Sequence, residues 1–200
     1  MKRLFLIGGT MGIGKSTVSQ ILKRQLPNSV FLDGDWCWDS SPFQVTAETK
    51  EMVIQNICAV LNNFLKCSAY ENVIFCWVMH EQSIIDQIVS CLDTRGSHVI
   101  AVSLIASEQE LTQRLQKDVT AGIRTPDVIA RSVQRIPLYQ RLHTVKVDTS
   151  GKSAAEVAQE IAALSGDPAG APAERTAAVS VAPQADFAAI GTERTQKNKK

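Results

Sequence analysis

Several things are missing from this chain, and each absence narrows its function. No apolar run approaches the length of a membrane span. The only basic cluster, Lys197-Asn198-Lys199-Lys200, closes the sequence and reads as a solvated tail; with a formal charge of +1, no nucleic-acid surface is expected. Cysteine is present five times (Cys37, Cys58, Cys67, Cys76 and Cys91) but without a C-x-x-C pair. His80, His98 and His143 are too scattered to complete a zinc site with recognisable spacing. Four of the cysteines lie in apolar surroundings, which predicts buried free thiols. Lys2 and Arg3 precede only four apolar residues, too few for the core of a signal peptide, so the expected location is cytoplasmic, with no membrane.

Among what is present, 200 residues with 44% hydrophobic content suffice for one domain with a sizeable core. Behind the run Leu4-Phe5-Leu6-Ile7 stands Gly9-Thr10-Met11-Gly12-Ile13-Gly14-Lys15-Ser16, every position of a G-x-x-x-x-G-K-S phosphate-binding loop. The motif requires a buried strand before it and a helix after it. The helix follows from Thr17 to Leu26, with Val18, Ile21, Leu22 and Gln25 on one face. Closely spaced glycines let backbone N–H groups converge on phosphate oxygens, and a helix N-terminus adds partial positive charge. Lys15 is the group to reach the outer phosphates, and Ser16 the hydroxyl to sit on Mg²⁺.

The rest alternates between strand and helix. Strands are predicted at 29–33, 73–78, 98–105 and 144–148, the third of the chain being apolar throughout. Helical periodicity occupies 45–66 and 81–92. A further helix opens on the capping box Ser107-Glu108-Gln109-Glu110. A polar link, 118–125, leads to a helix with Pro126 in its first turn, and the last helix covers 153–164. The expected fold is α/β: a three-layer sandwich with a five-stranded parallel sheet, helices on both faces and a short lid. From 165 to 200 Ala, Pro and Gly dominate, and a disordered tail is predicted beyond a domain of residues 1–164.

The second strand ends in Asp33-Gly34-Asp35, at the sheet edge where open α/β folds bind ligands. If the chain stays extended there, both carboxylates point the same way. One can then hold the Mg²⁺ shell while the other accepts the proton of an attacking hydroxyl. The third strand ends in Cys76-Trp77-Val78-Met79-His80, with no aspartate where many P-loop NTPases carry one; this shifts metal duty toward Ser16 and the aspartate pair. Residues 1–164 resemble the P-loop small-molecule kinases of the shikimate/gluconate-kinase-like and chloramphenicol-phosphotransferase-like group. The likeness rests on Gly9–Ser16, on Asp33-Gly34-Asp35, on Glu110-Leu111-Thr112-Gln113-Arg114-Leu115, and on Arg135-Ile136-Pro137-Leu138-Tyr139 with Val147-Asp148-Thr149-Ser150.

That resemblance implies ATP and Mg²⁺ as cofactors. It assigns Gly9, Thr10, Met11, Gly12, Ile13, Gly14, Lys15, Ser16 and Thr17 to the nucleotide, and Ser16 with Asp33 to the metal. Asp35 would orient or deprotonate the acceptor. Arg114 would stack near adenine or clamp phosphate, Arg124 would close from the lid, and Arg135 would reach phosphate or acceptor. Arg131 reads as a surface residue.

The acceptor region follows Asp35. Up to Val73 it contains no arginine, and its only lysines, Lys50 and Lys66, fall in a helix. Asp35, Asp39, Glu48 and Glu51 make its front acidic, which argues for a neutral or cationic hydroxyl compound such as a nucleoside, sugar or antibiotic. Trp36, Trp38, Phe43 and Trp77 either offer aromatic faces to such a molecule or pack in the core; Trp36 and Trp38 share a direction if the chain is extended. His80 reads as a surface histidine and, second, as an acceptor contact. The expected function is an ATP-dependent kinase. The alternatives are a nucleotide-binding regulatory or resistance protein without phosphoryl transfer, and a nucleoside monophosphate kinase.

Overall fold

Alternation along the first strand sets the architecture. In β1 (Lys2–Gly8), Leu4 and Leu6 enter one apolar core and Phe5 and Ile7 the other, all at most 1% exposed. A strand that is apolar on both sides needs cover on both sides. The computed structural model describes residues 1–166; the predicted tail from 165 falls almost wholly outside the described residues.

In chain order β1 is followed by α1 (Lys15–Gln25), β2 (Ser29–Asp33), α2 (Ala47–Lys66), β3 (Asn72–Cys76), α3 (Gln82–Ser90), β4 (Ser97–Ile105), α4 (Glu108–Thr120), α5 (Asp127–Gln140), β5 (Val145–Asp148) and α6 (Ala154–Ala163). The five strands are parallel in the order β2-β3-β1-β4-β5. One core gathers α2 and α3 around Trp38, Trp77 and Tyr139; the other gathers α1, α4 and α6 around Leu22, Leu115 and Ile161. The expected three-layer α/β sandwich is the fold observed. No helix among the described residues is long and apolar enough to cross a membrane.

Four local expectations are corrected. The link predicted from Asp118 begins later, because α4 continues through Thr120. Ser107 caps α4 by accepting from the Glu110 N–H, but the box is only half made: the Glu110 carboxylate instead accepts from Gly151 N and Arg114 Nη2. Cys58 and Cys76 are the buried thiols; Cys37 and Cys67 are half-buried and Cys91 is exposed. Burial, followed by the neighbouring Cys91, pushes the Cys58 thiol up to about 12. His80 is buried, with Nε2 3.5 Å from Glu81 Oε1, in the β3–α3 connection, whose backbone bends at Met79 (φ 32°).

The bend is held from α5. Tyr139, 1% exposed, donates its hydroxyl to the Val78 carbonyl at 2.6 Å. Tyr139→Phe leaves that buried carbonyl short of its donor. It should lower stability by about 1–3 kcal/mol in urea unfolding, the cost of stranding a buried polar group. An unchanged midpoint would show that the bend does not need this bond.

Candidate functional site

The site is built where β1, β2 and β3 end side by side. The register Asp33–Cys76–Ile7 runs across three neighbouring strands, so the aspartate of β2 and the phosphate loop after β1 meet at one edge of the sheet. Within the loop, Met11 and Ile13 are buried in the core beneath, and the Thr10 hydroxyl donates to the Ser132 carbonyl of α5 at 3.1 Å. The side chains thus anchor the loop, and the cradle is made of backbone. Gly12 (φ 74°) and Gly14 (φ 101°) adopt left-handed conformations that L side chains rarely take. Gly12 also lies against Leu115 of α4, where a Cβ would come within 2.8 Å of Cγ.

Gly14 is the N-cap of α1, with no side-chain cap, and a Cβ there would meet nothing within 4 Å. This open, uncapped helix start leaves first-turn N–H groups for an anion, which fits the phosphates of ATP. Lys15 lies beside it, its Nζ donating to the Thr10 carbonyl at 3.0 Å. The lysine therefore rests on its own loop, a contact additional to the expected phosphate contact. Thr17, next on α1, is exposed.

The two aspartates part company. Asp33, 8% exposed, accepts from the Ser16 hydroxyl at 2.6 Å through Oδ2 and from the Asp35 N–H at 3.1 Å through Oδ1. The second bond makes it the N-cap of a 3₁₀ turn, Gly34–Cys37. The chain is therefore not extended here, and the expectation of parallel carboxylates fails. Asp35 Oδ1 accepts instead from the Trp77 indole N–H at 3.1 Å. Gly34 does not serve as a spacer between carboxylates: a Cβ would stand 2.5 Å from Trp77 Cγ, so glycine admits the indole.

A hydroxyl beside a carboxylate is a pair of hard oxygen donors, the chemistry Mg²⁺ takes. Ser16 and Asp33 would hold it. Cys76, in register with Asp33, has its Sγ 3.9 Å from Ser16 Oγ. Burial and then the Asp33 charge push its thiol up, so it contributes a neutral group. Asp33 of β2 stands in register with that thiol, one strand over.

The same 3₁₀ turn separates the tryptophans expected to share a direction. Trp36 is 55% exposed and meets Phe31 edge-on at 5.3 Å, whereas Trp38 is buried against Phe43 at 4.6 Å. Trp77 is buried at 1% exposure. The arginines lie farther along the edge. Arg114 is clamped between Glu110 (2.9 Å) and Thr149, to whose hydroxyl and carbonyl it donates at 2.9 and 2.8 Å, so it braces the β5–α6 loop. Arg124, in the α4–α5 turn, donates to Asp118 at 3.0 Å. Arg135 is half-buried on α5. Arg131, expected on the surface, is partly covered and pairs with Asp127 at 2.7 Å. Sequence reasoning missed the Trp77–Asp35 bond and the Tyr139 tether; the signal available was that both side chains carry a polar tip that burial obliges to find a partner.

A model of the AAA domain family matches residues 6–131, more than half of the chain. No curated protein matches. Among solved structures, the tunicamycin resistance protein of Deinococcus radiodurans is similar at 21% identity and a TM-score of 0.62, covering 83% of this chain and 96% of that one. The gluconokinase of Sinorhizobium meliloti is similar at 20% identity and 0.55, covering 80% and 89%. The shikimate kinase of Acinetobacter baumannii, in complex with shikimate, is similar at 21% and 0.54, covering 82% and 92%. At these identities the likeness carries the fold, that of small-molecule-kinase-like P-loop proteins.

Lys15→Ala tests the cradle. It should abolish MgATP turnover while shifting the melting temperature by no more than about 2–4 °C, since only one partly exposed contact is lost. Near-normal turnover would remove the phosphate-loop reading.

Proposed function

The chain belongs to the AAA domain family of phosphate-loop proteins, and from that premise we propose that it is an ATP-dependent phosphotransferase acting on a hydroxyl of a neutral or cationic small molecule. The observation that carries this reading is the unequal fate of the two aspartates: Asp33 is bonded to Ser16 of the loop, and Asp35 stands one turn on, where the acceptor segment begins. A nucleotide sensor has no use for a second carboxylate in that place.

In this mechanism the loop N–H groups and Lys15 hold the β- and γ-phosphates of ATP in line with the acceptor. The acceptor oxygen attacks the γ-phosphorus, the bond to the β–γ bridging oxygen breaks, and the hydroxyl proton passes to Asp35. Mg²⁺, when bound, neutralises charge on the phosphate oxygens. Arg124, moving from Asp118, would meet charge developing on the transferred group, and Arg135 would reach phosphate or acceptor. Arg114 would act through the loop it braces, next to the nucleobase.

The acceptor class follows from charge. A phosphate or carboxylate on the acceptor calls for a forked arginine, and none stands between Asp35 and Val73. Lys66 is exposed at the far end of α2. Of the three tryptophans, Trp36 is the one that presents an open face, suited to a sugar, a nucleoside or another amphiphilic compound. The likeness to a tunicamycin resistance protein supports an antibiotic acceptor and also a second reading, in which the chain sequesters such a compound without transfer.

ADP release from MgATP should rise with a neutral or cationic hydroxyl compound from a pool that includes tunicamycin, and not with gluconate or shikimate. The product should gain the mass of one phosphoryl group. Binding without ADP release would favour sequestration, and turnover of the carboxylates would refute the acceptor class. With the acceptor so found, Asp35→Asn should lower kcat about 10²–10⁴-fold, the usual worth of a positioned proton acceptor, with little change in the KM for ATP. Full activity in that variant would refute the assigned base.

A further inference from the structure

The bend between β3 and α3 contains a residue in a costly conformation. Met79 has φ 32°, in the left-handed region, and is 1% exposed. A non-glycine residue stays there only where its surroundings leave no alternative, and such strain concentrates at functional sites. Three contacts fix the two residues before it. Trp77 N donates to the Ile7 carbonyl at 3.2 Å, Tyr139 Oη donates to the Val78 carbonyl at 2.6 Å, and the Trp77 indole N–H donates to Asp35 Oδ1 at 3.1 Å. Gly34 supplies the fourth constraint: the indole fits because no Cβ stands 2.5 Å from its Cγ. Ile7 and Tyr139 thus hold the backbone at Trp77 and Val78, while the Gly34-Asp35 turn receives the indole.

We propose that Trp77 is a positioning residue for Asp35: its indole N–H fixes the rotamer of that carboxylate, and so the direction from which the carboxylate meets the acceptor hydroxyl. The proposal rests on the reading of Asp35 as the acceptor-activating group. Trp77 suits the task chemically. Its N–H donates and never accepts, so it cannot take the proton meant for Asp35. Its ring, buried to 1% exposure, offers no face to a ligand, which replaces the stacking role considered for it from sequence. A rigid ring locked by packing carries its donor to a fixed point, and displacement of a catalytic group by about 1 Å can cost 10²-fold in rate.

The test uses the full chain and the basal hydrolysis of MgATP, with water in the acceptor's place. Trp77→Phe should lower kcat about 10–100-fold and leave the KM for MgATP within about twofold, because Lys15 and the loop are untouched. In an Asp35→Asn background the same substitution should cost nothing further. Equal losses in both backgrounds, or no loss in the first, would overturn the proposal; full activity of Asp35→Asn alone would instead overturn the reading of Asp35. Should Trp77→Phe fail to fold, Gly34→Ala displaces the indole by crowding and should show the same split between kcat and KM; unchanged kcat there overturns the proposal equally. A second readout needs no turnover. In a ¹H–¹⁵N spectrum, Asp35→Asn should move the Trp77 indole resonance and leave those of Trp36 and Trp38 in place. An unmoved Trp77 resonance would contradict the bond.

Discussion

The hydrogen bond from Ser16 to Asp33, 2.6 Å long, joins the phosphate loop to the second strand, and the arrangement of the site depends on it. It exists because the strand order brings β2 to the flank of β3, with Asp33 and Cys76 in register. A neutral thiol at the end of β3 leaves room for the neighbour's carboxylate beside the loop serine. Once Asp33 is committed to the loop through one oxygen and to the cap of the 3₁₀ turn through the other, the turn direction is set. That direction sends Asp35 toward Trp77, Trp36 toward the surface and Trp38 into the core.

A chain of polar contacts then links α5 to this edge. Thr10 donates to Ser132, and Tyr139 donates to Val78, so the same helix anchors the phosphate loop and the β3–α3 bend. Arg124 and Arg135 lie in the connection before that helix and on it. Arg114, in contrast, is committed to Glu110 and Thr149, a brace across the base of α4 and the β5–α6 loop. The arginines are therefore not equivalent: Arg114 braces a loop, and Arg124 pairs with Asp118 in the turn before α5.

Much of the fold was legible in the sequence. β1 and β3 read as unbroken apolar runs because both faces of the sheet are covered, and the glycine spacing of the loop has few other uses. The site was half legible. Residue types at Lys15, Ser16, Asp33 and Asp35 picked out the loop and the strand end that the sheet brings together, but alternation along a strand was carried one residue too far. Asp33 is a good N-cap, and that preference ended the extended chain at Gly34. The same error joined Trp36 to Trp38. His80 departs from expectation for a different reason: Tyr139, far along the chain, donates to the Val78 carbonyl, and nothing local in Cys76-Trp77-Val78-Met79-His80 signals that contact; Trp77 takes the second of its two readings and packs in the core. Glu110 left its capping box because Arg114 and Gly151 offered it stronger or equal partners.

The central claim is that Asp33 serves the metal side and Asp35 the acceptor side. Electron paramagnetic resonance of Mn²⁺, titrated in the presence of a non-hydrolysable ATP analogue, measures this without any acceptor. Bound Mn²⁺ should fall markedly in Asp33→Asn and remain at the unsubstituted level in Asp35→Asn. Loss of Mn²⁺ from the Asp35 variant with retention in the Asp33 variant would contradict the account.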